Sequence, residues 1–166
     1  EKAAAELLRR IAYREGIGDV LALGLKTGPE KIGGKEAAAF AVHFKGETHH
    51  AHDSRALWGQ FLGICVSGGG PRWESMGMDL FSDPELGAVT PEDRFDPKPK
   101  PLSARKSQMK KLFQDTLGVC IFGFASMEIT LKAYEALTGW TLTTEEAYAM
   151  GERIANMQRA FNVRHG

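Results

Sequence analysis

Apolar residues recur at spacings of three and four along most of this chain, the mark of helices that each bury one face. From about Ala3 to Glu15, Leu7, Leu8 and Ile11 share a face, with Gly16 as the C-terminal stop and a shorter helix from Asp19 to Gly24. Thr27-Gly28-Pro29 and Gly33-Gly34 punctuate the chain before a short alanine-rich helix near Lys35 to Val42. Helical spacing returns from Arg55 to Val66, until Gly68-Gly69-Gly70-Pro71 breaks it. The stretch from Asp83 to Leu102 holds Pro84, Pro91, Pro97, Pro99 and Pro101 and is predicted to be irregular surface chain. Ser103 then serves as the expected N-cap of a helix whose inward stripe runs Met109, Leu112, Phe113, Thr116, Leu117 and Cys120. A further helix from about Met127 to Leu137 stops at Gly139. Thr143-Thr144-Glu145-Glu146 is a capping box that opens a last helix reaching about Phe161. There is no internal repeat and no low-complexity tract. The pattern predicts an all-α, irregular helical fold with long Pro/Gly-rich loops.

Composition narrows the setting. At 166 residues the chain is long enough to bury a real core. Its 21 basic and 21 acidic residues cancel, so no overall field draws it to nucleic acid or an acidic membrane. No apolar run is long enough to span a bilayer, and no basic-then-apolar leader is present. The chain begins inside an amphipathic helix without an initiator methionine and stops after Arg164-His165-Gly166, so a fragment of a longer protein is expected. Two cysteines suit a reducing cytoplasm better than a disulfide-stapled secreted domain.

The densest chemistry lies in Asp115-Thr116-Leu117-Gly118-Val119-Cys120, where a carboxylate, a glycine and a thiol fall within two helical turns. Asp115 lies off the inward stripe and is free to reach a ligand, whereas Cys120 lies on it. Gly118 allows a departure from helical geometry and a close backbone approach. A carboxylate accepts paired hydrogen bonds from an amino-pyrimidine edge, and a thiolate binds soft iron. Taken alone, the segment reads first as a core cysteine beside a surface aspartate, since free cysteine is among the most buried residue types. Cys65, between Ile64 and Val66, is read as a core residue. His49, His50 and His52 crowd one stretch with His43 nearby, but adjacent histidines in extended chain point to opposite sides and no third ligand at helical spacing accompanies them. The loop Gly68-Gly69-Gly70-Pro71-Arg72-Trp73 lacks both the preceding strand and the following Lys-Ser/Thr of a nucleotide P-loop.

Four stretches then fall into one register. Asp-x-x-Gly-Val-Cys at 115–120 resembles the pterin- and cluster-binding motif of the tungsten-dependent aldehyde ferredoxin oxidoreductase family. Arg14-Glu15-Gly16-Ile17-Gly18-Asp19 resembles that family's REGIGD segment, and Lys45-Gly46-Glu47 with His52-Asp53-Ser54-Arg55 resembles its KGxE and HDPR elements, serine standing for proline. Gly151-Glu152-Arg153-Ile154-Ala155-Asn156, continuing through Arg159, Phe161-Asn162, Arg164 and Gly166, is similar to its C-terminal signature. The resemblance implies the tail of the family's second domain at 1–44 and most of its third at 45–166. It also implies an oxidation of aldehydes to carboxylic acids at a tungsten (or molybdenum) bis-molybdopterin centre. Asp115, Gly118 and Val119 would contact the pterin, and Cys120 would supply one thiolate to a [4Fe-4S] cluster that passes electrons to ferredoxin. The partners implied are ferredoxin and the remaining domains of the same enzyme, with a homo-oligomer left open and neither nucleic acid nor membrane expected.

The resemblance assigns no catalytic residue. Aldehyde-oxidising members carry a histidine just after a Ser-x-x-Gly in the region of Gly68–Trp73, where this chain has Arg72 or Trp73. A guanidinium is no base near neutral pH, but it orients carboxylate- or phosphate-bearing substrates. That departure raises an alternative inside the family, reduction of aromatic acyl-CoA thioesters. A second alternative is a helical interaction module, inert as this segment, because one thiolate cannot hold a four-iron cluster.

Overall fold

The structure is a computed structural model that describes residues 1–44, 46–48, 53–70, 95–120, 123 and 126–165. The chain is all-α, with one hairpin of two-residue strands among the described residues, and it divides into two compact units, Glu1–His52 and Asp53–Gly166.

In the first unit, helix α1 (Lys2–Tyr13) turns sharply into α2 (Ile17–Leu21). The expected stop at Gly16 is displaced: the left-handed residue that ends α1 is Arg14, with φ 59°. Its amide and that of Glu15 satisfy the carbonyls of Ile11 and Arg10 at 3.3 and 2.9 Å, the bonding that closes a helix C-terminus. The Arg14 guanidinium then holds the Asp19 carboxylate and carbonyl, both at 3.2 Å, which offsets the left-handed cost at a non-glycine residue. Gly16 instead precedes α2 with φ 55°. Gly18 sits directly on the Arg10 carbonyl, where a Cβ would come within 2.2 Å. Glu15 closes the corner by taking Arg9 at 2.6 Å. Each polar or glycine position of the 14–19 segment therefore builds one tight corner.

Helix α3 (Gly24–Phe40) begins earlier than expected and runs through Thr27-Gly28-Pro29, where the proline removes only one hydrogen bond early in the helix. The predicted break at Gly33-Gly34 is present as a kink, with Gly34 at φ 68° and ψ −159°. The hairpin β1 (His43–Phe44) and β2 (Glu47–Thr48) follows, turning through Gly46 at φ 91°. His49, His50, Lys45 and His52 lie outside the described residues.

The second unit opens with a short 3₁₀ turn, Ser54–Ala56, and α4 (Trp58–Val66). Asp53 starts that turn: its carboxylate accepts from the Arg55 amide at 3.0 Å and pairs with the Arg55 guanidinium. Helix α5 (Lys100–Thr116) packs on α4 and, most extensively, on α7 (Thr144–His165); α6 (Met127–Thr138) lies between them in sequence. The expected N-cap Ser103 is wrong for α5. The helix starts at Lys100, carries Pro101 in its first turn where a missing N–H costs nothing, and buries Ser103 in its interior face. The irregular stretch expected from Asp83 thus ends before Lys100, and its residues 83–94 lie outside the described ones.

Phe113, Met127 and Ala147 form the core where α5, α6 and α7 meet, with Leu117, Leu131, Leu142, Tyr148 and Met150 packed around them. The capping box is formed as predicted: Thr143 Oγ1 accepts from the Glu146 amide at 3.2 Å, and the Glu146 carboxylate accepts from the Thr143 amide at 2.8 Å. Gly139 ends α6 in the left-handed conformation at φ 74°. Among the described residues no helix is long and apolar enough to cross a membrane.

Candidate functional site

Helix α5 ends one turn before the candidate motif is complete. The Leu117 amide bonds back to Gln114 and the Gly118 amide to the Asp115 carbonyl, both at 3.1 Å, and Gly118 adopts φ 70°. Among the described residues no atom lies within 4 Å of where a Gly118 Cβ would stand, so the glycine is required by its backbone conformation. This geometry corrects the expected stripe. Leu112 and Phe113 are buried, but the helix stops at Thr116, and Cys120 is exposed rather than inward-facing. A helical stripe cannot be extrapolated across a left-handed glycine. Cys65 is also exposed and not in the core, because it falls on the outer side of α4 while Gly63 and Ile64 face inward.

Asp115 lies off the buried face, its side chain 43% exposed, and its carboxylate is engaged by Lys111 one turn earlier. Val119 is half-buried, and the Cys120 carbonyl accepts from the Gly123 amide at 2.7 Å. Asp115, Gly118, Val119 and Cys120 thus cluster at one helix end, as expected of neighbours in sequence. The Gly118 N–H is already used by Asp115, so what that residue has left to offer a ligand is its carbonyl and its lack of a side chain.

The base of the site is anchored. Gln114, buried, donates through Nε2 to Thr130 Oγ1 at 3.0 Å, and Thr130 in turn donates to the Ser126 carbonyl at 2.8 Å. Ser126 Oγ caps α6 by accepting from the Ile129 amide at 3.2 Å. The end of α5 and the start of α6 are therefore tied by one chain of polar bonds that runs from buried Gln114 through Thr130 to Ser126.

Sequence reasoning missed the residues that hold α5 itself. Gly151 of α7 lies against the Met109 carbonyl of α5, where a Cβ would come within 2.1 Å. Beside it Arg105 pairs with Glu152 at 2.7 Å. Further along α7, Asn162 donates to the Gly68 carbonyl at 2.7 Å. Glu152 and Asn162, one and eleven residues after Gly151, are visible in the C-terminal signature, but their spatial partners are not. Among the described residues no three His, Cys, Asp or Glu side chains gather as a metal site. Arg72 and Trp73 lie outside the described residues.

The family model described as aldehyde ferredoxin oxidoreductase, domains 2 and 3, matches residues 1–166. The chain belongs to the aldehyde ferredoxin oxidoreductase family. It is similar to the protein named tungsten-containing aldehyde ferredoxin oxidoreductase in Pyrococcus horikoshii, at 33% identity over 96% of this chain. The proteins of that name in Pyrococcus abyssi and Thermococcus kodakarensis are 32% and 31% identical over the same share. The chain spans about a quarter of the length of these curated relatives. No solved structure gives a significant match. The corner at 14–19, the α5 terminus and the α5–α7 seam are the structural content of three of the stretches that carried the family resemblance.

Proposed function

We propose that the full-length protein oxidises aldehydes to carboxylic acids, and that this segment supplies one wall of its cofactor site. The balance is simple: an aldehyde and water give a carboxylic acid, two protons and two electrons, the electrons leaving through a [4Fe-4S] cluster to ferredoxin. The observation that supports this reading most directly is an exposed carboxylate and an exposed thiol five residues apart, on either side of left-handed Gly118, at the end of a firmly anchored helix.

The donor chemistry fits the cofactors of this family. Cys120 is an exposed thiol on a connection fixed at both ends, suited to give one thiolate to a cluster whose other ligands come from elsewhere in the protein. Asp115 would accept hydrogen bonds from the pterin of a tungsten (or molybdenum) bis-molybdopterin, exchanging some of its pairing with Lys111 for them. Gly118 and Val119 would bring backbone close to the same ring. When bound, the metal centre and the cluster supply the redox chemistry; the protein orients them and tunes their potential. Lys111, its side chain only 14% exposed, lies beside Asp115 as its ion-pair partner. Arg72, in the stretch where aldehyde-oxidising members carry a histidine, would orient anionic substrates. The two free thiols accord with a cytoplasmic location. The names of the relatives favour aldehyde oxidation over acyl-thioester reduction.

Cys120→Ser in the full-length protein tests the assignment. Iron content and the cluster's EPR signal should fall, and oxidation should uncouple from the external acceptor. An unchanged cluster signal would remove Cys120 from the site.

A further inference from the structure

The first unit is built without an apolar core. Among the described residues of Glu1–His52 only Gly18 and Gly28 are buried, and no hydrophobic side chain is. Its backbone is nevertheless held, because the corner at 14–19 closes on Gly18 and on the pairs Arg9–Glu15 and Arg14–Asp19. Helix α1 shows the imbalance most clearly. Ala4, Leu7, Leu8 and Ile11 fall at the three-and-four spacing of one face, yet Leu7 is 41% and Leu8 66% exposed. Ala3, Ala5 and Ala12 border that stripe with small, uncharged side chains. The opposite face carries Glu6, Arg9, Arg10 and Tyr13, and its charges close on one another. Glu6 takes Arg9 and Arg10, each at 2.9 Å, Glu15 takes Arg9 at 2.6 Å, and the Arg9 guanidinium lies 6.0 Å over the Tyr13 ring. A helix of 12 residues is marginal alone in water and draws most of its stability from burying such a stripe. The polar face of α1 is complete in itself; the apolar face is not.

We infer that the face of α1 formed by Ala4, Leu7, Leu8 and Ile11 is the seat of an apolar helix from the part of the same enzyme outside these 166 residues. The curated relatives carry about three quarters of their length outside the region that this chain matches, so most of such an enzyme is available to cover it. A partner on the same polypeptide meets the face at a high effective concentration, whereas a second copy has to be captured from solution. An anionic lipid surface is a poor match, because Arg9 and Arg10 are already paired with Glu6 and Glu15. The alanine border lets another helix approach closely, its ridges entering the grooves beside Leu7 and Leu8. The inference rests on membership of the family and is independent of the roles given to Asp115 and Cys120.

The test uses the full-length enzyme. Peptide-level hydrogen exchange on the wild type needs no substitution. The α1 amides should exchange roughly a thousandfold or more slowly than unstructured chain, as in a packed helix, whereas an uncovered helix of this length frays and stays within about tenfold of it. The photo-crosslinking residue p-benzoylphenylalanine is then placed at position 7 or position 8, with position 13 on the opposite face as control, and linked peptides are mapped by mass spectrometry. The two stripe positions are probed separately, so misfolding of one variant leaves the other to decide. Links from the stripe to a peptide of the same chain outside residues 1–166, in much higher yield than from position 13, are the expected result. Links to a second copy, seen as a doubled mass, would make the face an oligomer contact and overturn the inference. Links confined to residues 1–166, no links, equal links from position 13, or exchange near the unstructured rate would overturn it as well.

Discussion

Gly151→Ala sets two physical effects against each other, and the sign of the outcome identifies the winner. Helix propensity alone favours alanine over an interior glycine by about 1 kcal/mol. Sterics oppose it. The new Cβ would stand 2.1 Å from the Met109 carbonyl oxygen, 2.8 Å from its carbon and 2.9 Å from its Cα, whereas ordinary contact begins at 3.4 Å. All three atoms are backbone of a helix, so no side-chain rotation relieves the clash. The α5–α7 seam must open by more than an ångström. Ala147, one turn earlier on α7 and fully buried, would then lift from Phe113, and the core shared with Met127 would loosen. Overpacking of this kind costs about 1–3 kcal/mol. Because the clashing atoms are backbone, the upper part of that range applies, and after the propensity gain a net loss of roughly 1–2 kcal/mol remains.

Hydrogen exchange reads this locally, without assuming that a multidomain protein unfolds in one step. In full-length protein the amides of Leu112, Phe113 and Gln114 should exchange roughly five- to thirtyfold faster in Gly151→Ala, the factor that corresponds to such a loss. Gly139→Ala provides the control. It forces alanine into φ 74° in open space, so it should weaken the end of α6 and leave α5 exchange unchanged. Unchanged or slower exchange in α5 of Gly151→Ala would refute the steric account and leave propensity in charge. Because α5 carries Asp115 at its end, the same variant should also lower iron and tungsten occupancy if the helix sets the position of the site.

Asp115→Ala should lower bound pterin and tungsten while the fold persists, since its carboxylate is exposed and pairs across one helical turn with Lys111; Asp115→Asn should be milder, and unfolding with cofactor retained would make the aspartate structural. Arg72→Ala should cost about one to two decades in specificity for an anionic over a neutral aldehyde, the worth of a charge-assisted hydrogen bond, and an unchanged substrate ranking would make Arg72 ordinary surface. Hydrogen bonds from the Thr143 amide and hydroxyl hold the Glu146 carboxyl below its ordinary 4.5. A depressed folded pKa means that this contribution is complete above 4.5 and is lost as pH falls through the lowered value. Exchange at the start of α7 should therefore rise on acidification below 4.5, and Glu146→Gln should abolish that step.

What was legible in advance depended on the distance along the chain between a residue and its partner. Thr143 and Glu146 are three residues apart, and each satisfies a bond that the other needs, so the opening of α7 could be read directly. Gly139 and the Gly33-Gly34 break were legible for the same reason, since the conformations they adopt are local properties of glycine. Local reading failed where two local rules competed. Pro99 and Pro101 argued for loop, yet proline is also well suited to a first helical turn, and tertiary burial of Lys100, Ser103 and Ala104 decided for helix. Gly16 looked like the stop for α1, but Arg14 took the left-handed position because Asp19 lies where its guanidinium can reach. At Cys120 a three-and-four spacing was continued past Gly118, and one positive φ turned an inward thiol into an exposed one. An outward thiol is what the proposed ligand role requires, since a cluster whose remaining ligands lie elsewhere must be met outside this helix. Gly151 and Asn162 show the opposite limit. Both stand in a recognisable signature, but the atoms that explain them, the carbonyls of Met109 and Gly68, lie 42 and 94 residues away and are found only by folding the chain.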